Sequence, residues 1–138
     1  MAIALANWKW GIAVVLMCAL GGCAESDRPA CRAGLAPVQR VDLYFGRAIA
    51  GGGMVSDGDW RRFLDEKITP RFPDGLTVTD VSGQWRGQSG IVREPAKHVT
   101  IIVSTNDATK LDAIRADYRA QFHQESVLLI ETGSCGAF

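Results

Sequence analysis

Two alternating segments of this chain, Leu76 to Arg86 and Ile91 to Ser104, fit each other in a single register, and that pairing constrains the rest of the fold. The Gly87-Gln88-Ser89-Gly90 stretch between them has the composition of a hairpin loop. With Arg86 opposite Ile91, Val78 meets Val99, Leu76 meets Ile101, Thr77 meets Thr100 and Thr79 meets His98. Strand side chains alternate between faces, so a slip of one residue would set each apolar residue against a polar one. The hairpin therefore has one apolar face and one polar face.

The flanking segments supply partners for the apolar face. Val41, Leu43 and Phe45 alternate with Arg40, Asp42 and Tyr44, as in a half-buried strand, and this strand stops at the loop around Gly51-Gly52-Gly53. Ser56 followed by Asp59 resembles a capping box; Trp60, Phe63, Leu64 and Ile68 then form a helical stripe that Pro70 and Pro73 terminate. Thr105 or Asn106 is positioned to cap a second helix with the stripe Leu111, Ile114, Tyr118 and Phe122, and Ser126 to Glu131 reads as a last strand. The order βαββαβ predicts an α+β, ferredoxin-like fold, a four-stranded antiparallel sheet with both helices on one face. First and last strands are neighbours in that topology, which brings Cys31 beside Cys135. A disulfide is expected there, with two free thiols as the alternative. Closing a loop of about 100 residues stabilises by about 4.7 kcal/mol in the chain-entropy model.

The N-terminus carries an address. Lys9 precedes the apolar run Gly11 to Leu20, which is shorter than the roughly 20 residues needed to cross a hydrocarbon core. The run ends in Leu20-Gly21-Gly22-Cys23, which resembles the lipobox of bacterial lipoproteins. Residues 1–22 are thus expected to be a removed lipoprotein signal peptide, taking Cys18 with them. Cys23 becomes the lipidated first residue, 23–36 a polar tether, and 37–138 the folded domain. Two acyl chains anchor stably to a membrane. Ala24, where an Asp would retain the protein, resembles the pattern sent on to the outer membrane, facing the periplasm.

Charge and motif content narrow the functional classes. The 15 acidic and 15 basic residues balance, so no basic field exists to hold a nucleic-acid backbone. Gly51-Gly52-Gly53 lacks the Lys and Ser/Thr that complete a phosphate loop, no Cys-x-x-Cys occurs, and His98 and His123 have no second ligand at metal spacing. No metal or cofactor is expected, and Asp112 with Arg115 reads as a solvated pair on the second helix.

Several segments carry a family resemblance: Leu43-Tyr44-Phe45-Gly46, Trp60 with Phe63-Leu64-Asp65, Thr69 to Gly75, Gly83-Gln84-Trp85, Arg93-Glu94-Pro95 and Gln124 to Val127. Together they resemble the bacterial family known as domain of unknown function (DUF) number 3574. The resemblance runs from Val41 to the C-terminus and implies small secreted or lipidated proteins. It implies no reaction, substrate or catalytic residue.

One constellation is left for function. If the helices cover Val41, Leu43, Val78, Val99 and Ile101, the opposite face presents Asp42, Tyr44, Thr77, Thr79, Trp85, His98 and Thr100. Near the far end of the hairpin lies a polar cluster, Gln84, Arg86, Arg93 and Glu94, in which an Arg–Glu pair could tie strands together or grip a carboxylate. Two readings follow. One is a noncatalytic envelope lipoprotein that binds a small ligand, a partner protein or a second copy of itself through the free sheet face. The other is a small ferredoxin-like enzyme, of isomerase or cofactor-free oxygenase type, with His98 and Tyr44 as acid and base in a nearby pocket.

Overall fold

The computed structural model describes residues 30–87, 90–104 and 107–137. The signal segment, Cys23 and the proposed capping residues Thr105 and Asn106 lie outside the described residues. The elements run β1 (Ala36–Gly46), α1 (Asp57–Phe63), β2 (Thr77–Gly87), β3 (Gly90–Val103), α2 (Ala108–Phe122) and β4 (Leu128–Gly136). All neighbouring strands are antiparallel, in the order β2-β3-β1-β4. This is the ferredoxin-like α+β arrangement that the hydrophobic periodicities predict.

The hairpin register is the one read from the sequence, with Arg86 opposite Ile91, Thr79 opposite His98, Val78 opposite Val99 and Thr77 opposite Thr100. β1 docks beside β3 so that Val41 faces Ile101 and Leu43 faces Val99, and all four side chains are buried. Burying such aliphatic side chains contributes roughly 1.5–3 kcal/mol each. The same face carries Lys97 opposite Phe45; its buried stem reaches Asp80 at 2.5 Å and Asp57 at 3.5 Å, so the ammonium is paired at the margin of the core.

Ser56 caps α1 by accepting the backbone N–H of Asp59, as the capping box requires. Beyond Phe63 the helix widens into a π-helical turn over Leu64–Ile68, closed by the Thr69 N–H on the Leu64 carbonyl. Ile68 follows Phe63 by five residues, which in a straight α-helix would set it at the far margin of the stripe from Phe63. The wider turn brings it back, and Ile68 is fully buried. On α2, Leu111, Ile114, Tyr118 and Phe122 are buried as one stripe, and the N-cap position falls at Asp107. Phe45, Trp60, Phe63, Tyr118 and Phe122 make an aromatic centre with tilted and edge-on contacts; the Tyr118 ring stands 4.8 Å from Phe45 and 5.0 Å from Phe63.

The last strand differs from the expected Ser126–Glu131. It begins at Leu128 and continues to Gly136, through Gly133, Ser134 and Cys135, which show no hydrophobic alternation. Pairing with Ala36 to Gln39 of β1 and a disulfide between Cys31 and Cys135, whose Cα atoms are 5.6 Å apart, hold this end. Among the described residues no helix is long and apolar enough to cross a membrane.

Replacing Cys31 and Cys135 together by Ser is expected to lower the unfolding free energy by about 2–5 kcal/mol. Urea titrations of the oxidised wild type and the double variant, compared with wild type in reductant, measure this difference.

Candidate functional site

Strand alternation places Asp42, Tyr44 and Gly46 of β1, Thr77, Thr79, Val81 and Trp85 of β2, and Glu94, His98 and Thr100 of β3 on the face away from the helices. β4 adds Leu128 and Ile130, which are half exposed. Two features stand on this face, a polar network around Asp42 and a cleft around Glu94.

Asp42 is buried and accepts from every side. His98 Nε2 lies 2.7 Å from Oδ1, the Thr100 hydroxyl donates to Oδ1 at 2.7 Å, and Arg40 Nε donates to Oδ2 at 2.8 Å. Burial pushes the carboxyl pKa up, but the hydrogen bonds from Arg40, Thr100 and His98 and the Arg40 charge outweigh it and bring the pKa to about 2. Tyr44 stacks flat on the His98 ring, with centroids 4.3 Å apart and planes within 3°. The imidazole is therefore committed at its edge to Asp42 and on one face to Tyr44.

The cleft has a volume of about 570 Å³ and lies at the end of the sheet where β1 finishes and the hairpin rises. Tyr44, Gly46, Val81, Val92, Ala96 and Leu128 lie along it, with Trp85 beside them. Ala48 to Ala50 come from the β1–α1 connection and His123 to Ser126 from the α2–β4 connection. Gly51, Gly52 and Gly53 all have positive φ, which lets the first connection fold back so that Ala48 bridges Met54 at the rim. His123 ends α2 in the left-handed conformation and turns the chain toward the cleft. Gln124 then joins the two connections by donating from Nε2 to the Ala48 carbonyl at 2.7 Å.

Glu94 joins the cleft's walls. Its Oε1 accepts from Trp85 Nε1 at 2.8 Å and its Oε2 from the Ala48 N–H at 3.0 Å. Position 46 must be glycine for this arrangement, because a Cβ there would stand 2.8 Å from Glu94 Oε1. The Gly46 carbonyl accepts the Tyr118 hydroxyl at 2.9 Å, which ties the cleft to the aromatic core. Burial pushes the Tyr118 pKa up, so its hydroxyl stays a donor.

The expected polar cluster is divided by this geometry. Glu94 lies on the cleft side, and its side-chain partner is Trp85 instead of an arginine. Gln84, Arg86 and Arg93 have the opposite strand parity, and of these only Gln84 borders the cleft. From the expected face, Tyr44 and Trp85 line the cleft, whereas Asp42, Thr79 and His98 do not. Gly46 and Gln124 entered the sequence reading only as members of the resemblance segments, with no role assigned, and Val92 not at all. Val92 shares strand parity with His98, which could have flagged it. Among the described residues no group of His, Cys, Asp and Glu is arranged to hold a metal ion.

The model of a family described as a protein of unknown function, DUF3574, matches residues 40–138. The chain belongs to that family. Four of the segments that carry the DUF3574 resemblance, those containing Tyr44 and Gly46, Trp85, Glu94, and Gln124, meet at the cleft. No curated protein sequence matches the chain. Among solved structures it is similar to a phage SAM lyase in complex with S-methyl-5'-thioadenosine, at 14% identity and a TM-score of 0.57 over 80% of this chain and 95% of that one. It is also similar to a phage SAM lyase in the apo state, at 21% identity and a TM-score of 0.53 over 76% and 86%. CutA1 from Oryza sativa aligns at 11% identity with a TM-score of 0.49 over 76% and 86%. The likeness to the lyases is one of fold.

Replacing Asp42 by Asn is expected to cost about 2 kcal/mol at neutral pH. A depressed carboxyl pKa stabilises above the unfolded value near 3.8, and the contribution fades as pH falls toward 2. Denaturant curves of wild type and Asp42→Asn should therefore be well separated at pH 7 and converge by about pH 2.

Proposed function

We propose that this DUF3574 protein is an exported lipoprotein, anchored through Cys23 in the outer membrane and facing the periplasm, whose folded body is a noncatalytic module that binds a small, largely apolar molecule. The observation that carries the binding role is the cleft of about 570 Å³, within the size range of small-molecule sites and lined mostly by apolar and aromatic residues around one fixed carboxylate. Convergence of four family-resemblance segments on that cleft supports the same role. The fold can house a ligand of this size, since a phage SAM lyase that shares it is in complex with S-methyl-5'-thioadenosine. The lipobox Leu20-Gly21-Gly22-Cys23 supports the anchor, and a Cys31–Cys135 disulfide suits an oxidising compartment.

The enzymatic reading has the contacts among Asp42, His98 and Tyr44 in its favour, because a carboxylate orienting an imidazole is a common acid–base arrangement. His98 does not line the cleft, however, and one of its ring nitrogens and one of its faces are already engaged. Binding without catalysis is the better fit.

Two outcomes test this proposal. Added to the purified full chain, 2-phenylethanol is expected to shift the NMR signals of the Trp85 indole N–H and the Gly46, Ala48 and Gln124 amides most strongly, and Trp85→Ala should weaken binding about tenfold. Shifts confined to the exposed Ile102 and Ile130, which stand on the same sheet face opposite Arg40 and Asp42, or none, would remove the cleft from consideration. In a bacterial host fed labelled palmitate, the wild type is expected to take up label in the membrane fraction, whereas Cys23→Ser should not.

A further inference from the structure

The charge of the cleft is one-sided. Among the described residues that line it there are two carboxylates, Glu94 and Glu125, one imidazole, His123, and no lysine or arginine. Glu94 uses one acceptor position on each oxygen, for Trp85 and for Ala48. An ionised carboxylate offers about four such positions, so acceptor capacity is left on the cleft side. The Trp85 indole has given its only N–H to Glu94, and what remains for a ligand is its π surface. Such a surface attracts cations. An anionic ligand would meet two carboxylates against a single imidazole, and a neutral apolar one would leave the Glu94 carboxylate unused.

We infer that the cleft selects an organic cation, an ammonium or similar onium group carried on an apolar or aromatic body, with Glu94 as counter-ion and Trp85 as aromatic wall. This rests on the cleft being the binding site proposed above. The body of the ligand lies along Tyr44, Val81, Val92 and Leu128, and its charged end approaches Glu94. Gly46 matters to this selectivity, since a Cβ there would press on the carboxylate and require it to shift.

Three probes of similar shape and different charge separate the inference from the reading beneath it: phenethylammonium, 2-phenylethanol and 3-phenylpropionate, titrated calorimetrically into the full chain at pH 8 and low ionic strength. The ammonium is expected to bind at least tenfold more tightly than the alcohol, and the carboxylate to bind weakest. Equal affinity of ammonium and alcohol would overturn the cation preference while leaving the cleft intact as an apolar site. Failure of all three to bind would overturn both.

A Gln at position 94 would turn its NH₂ toward either Trp85 Nε1–H or the Ala48 N–H, so the charge is best removed in a Trp85→Phe background. Phenylalanine keeps an aromatic wall and eliminates one of the opposing donors. In Trp85→Phe the ammonium should keep an advantage of several-fold over the alcohol; in Trp85→Phe/Glu94→Gln the two should bind within about twofold. An ammonium advantage that survives in the double variant would rule out Glu94 as the counter-ion.

Discussion

The hydrogen bond from the Tyr118 hydroxyl to the Gly46 carbonyl is the junction on which this structure depends. Tyr118 lies at the middle of the aromatic core and is fully buried, yet its polar tip must find an acceptor. The acceptor is the last residue of β1, at the point where the strand leaves the sheet. Helix α2 is thereby fixed in depth relative to β1. On the other side of the same glycine sits the Glu94 carboxylate, occupying space that any side chain would claim. One residue without a side chain thus links the position of the core to the position of a carboxylate that lines the cleft.

A second constraint is the alternation of strand faces, which determined how far the site could be read in advance. The hairpin pairing was legible because apolar meets apolar at Val78 and Val99 and polar meets polar at Thr77 and Thr100 and at Thr79 and His98 in one register, and the helices were legible because Leu111, Ile114, Tyr118 and Phe122 keep helical spacing. The polar cluster was harder. Gln84, Arg86, Arg93 and Glu94 are close in sequence across a hairpin, but proximity along a strand does not imply a shared face, and Glu94 has the parity of His98 and Trp85 once the register is counted. The far wall of the cleft was not legible. The contact between Gln124 and Ala48 spans 76 residues and depends on two loops meeting, which no local pattern encodes. The strand beyond Glu131 escaped notice for a related reason, since Gly133 to Gly136 are held by β1 and by a covalent bond, not by a buried stripe.

Two polar features on one sheet face therefore have different characters. Around Asp42 each polar group has a partner, and the network closes on itself, which suits a role in holding β1 and β3 in register on a face without helices. Around Glu94 two donors, Trp85 from β2 and Ala48 from the connection after β1, use one acceptor position on each oxygen, and the carboxylate borders a space bounded by aromatic and aliphatic groups. The contrast between a saturated network and a half-saturated carboxylate distinguishes structural polarity from available polarity here.

The disulfide has a mechanical consequence. Cys31 precedes β1 and Cys135 lies near the end of β4, while the cleft opens where β1 finishes at Gly46, about 30 Å away along a strand of this length. Tension applied to the chain before Cys31 enters the sheet at both strands together, through the backbone of β1 and through the sulfur bridge to β4. Peeling one strand away would require the other to follow, so the load is taken in shear by the ladder between β1 and β3. A domain tugged from that end would keep its distant cleft undistorted.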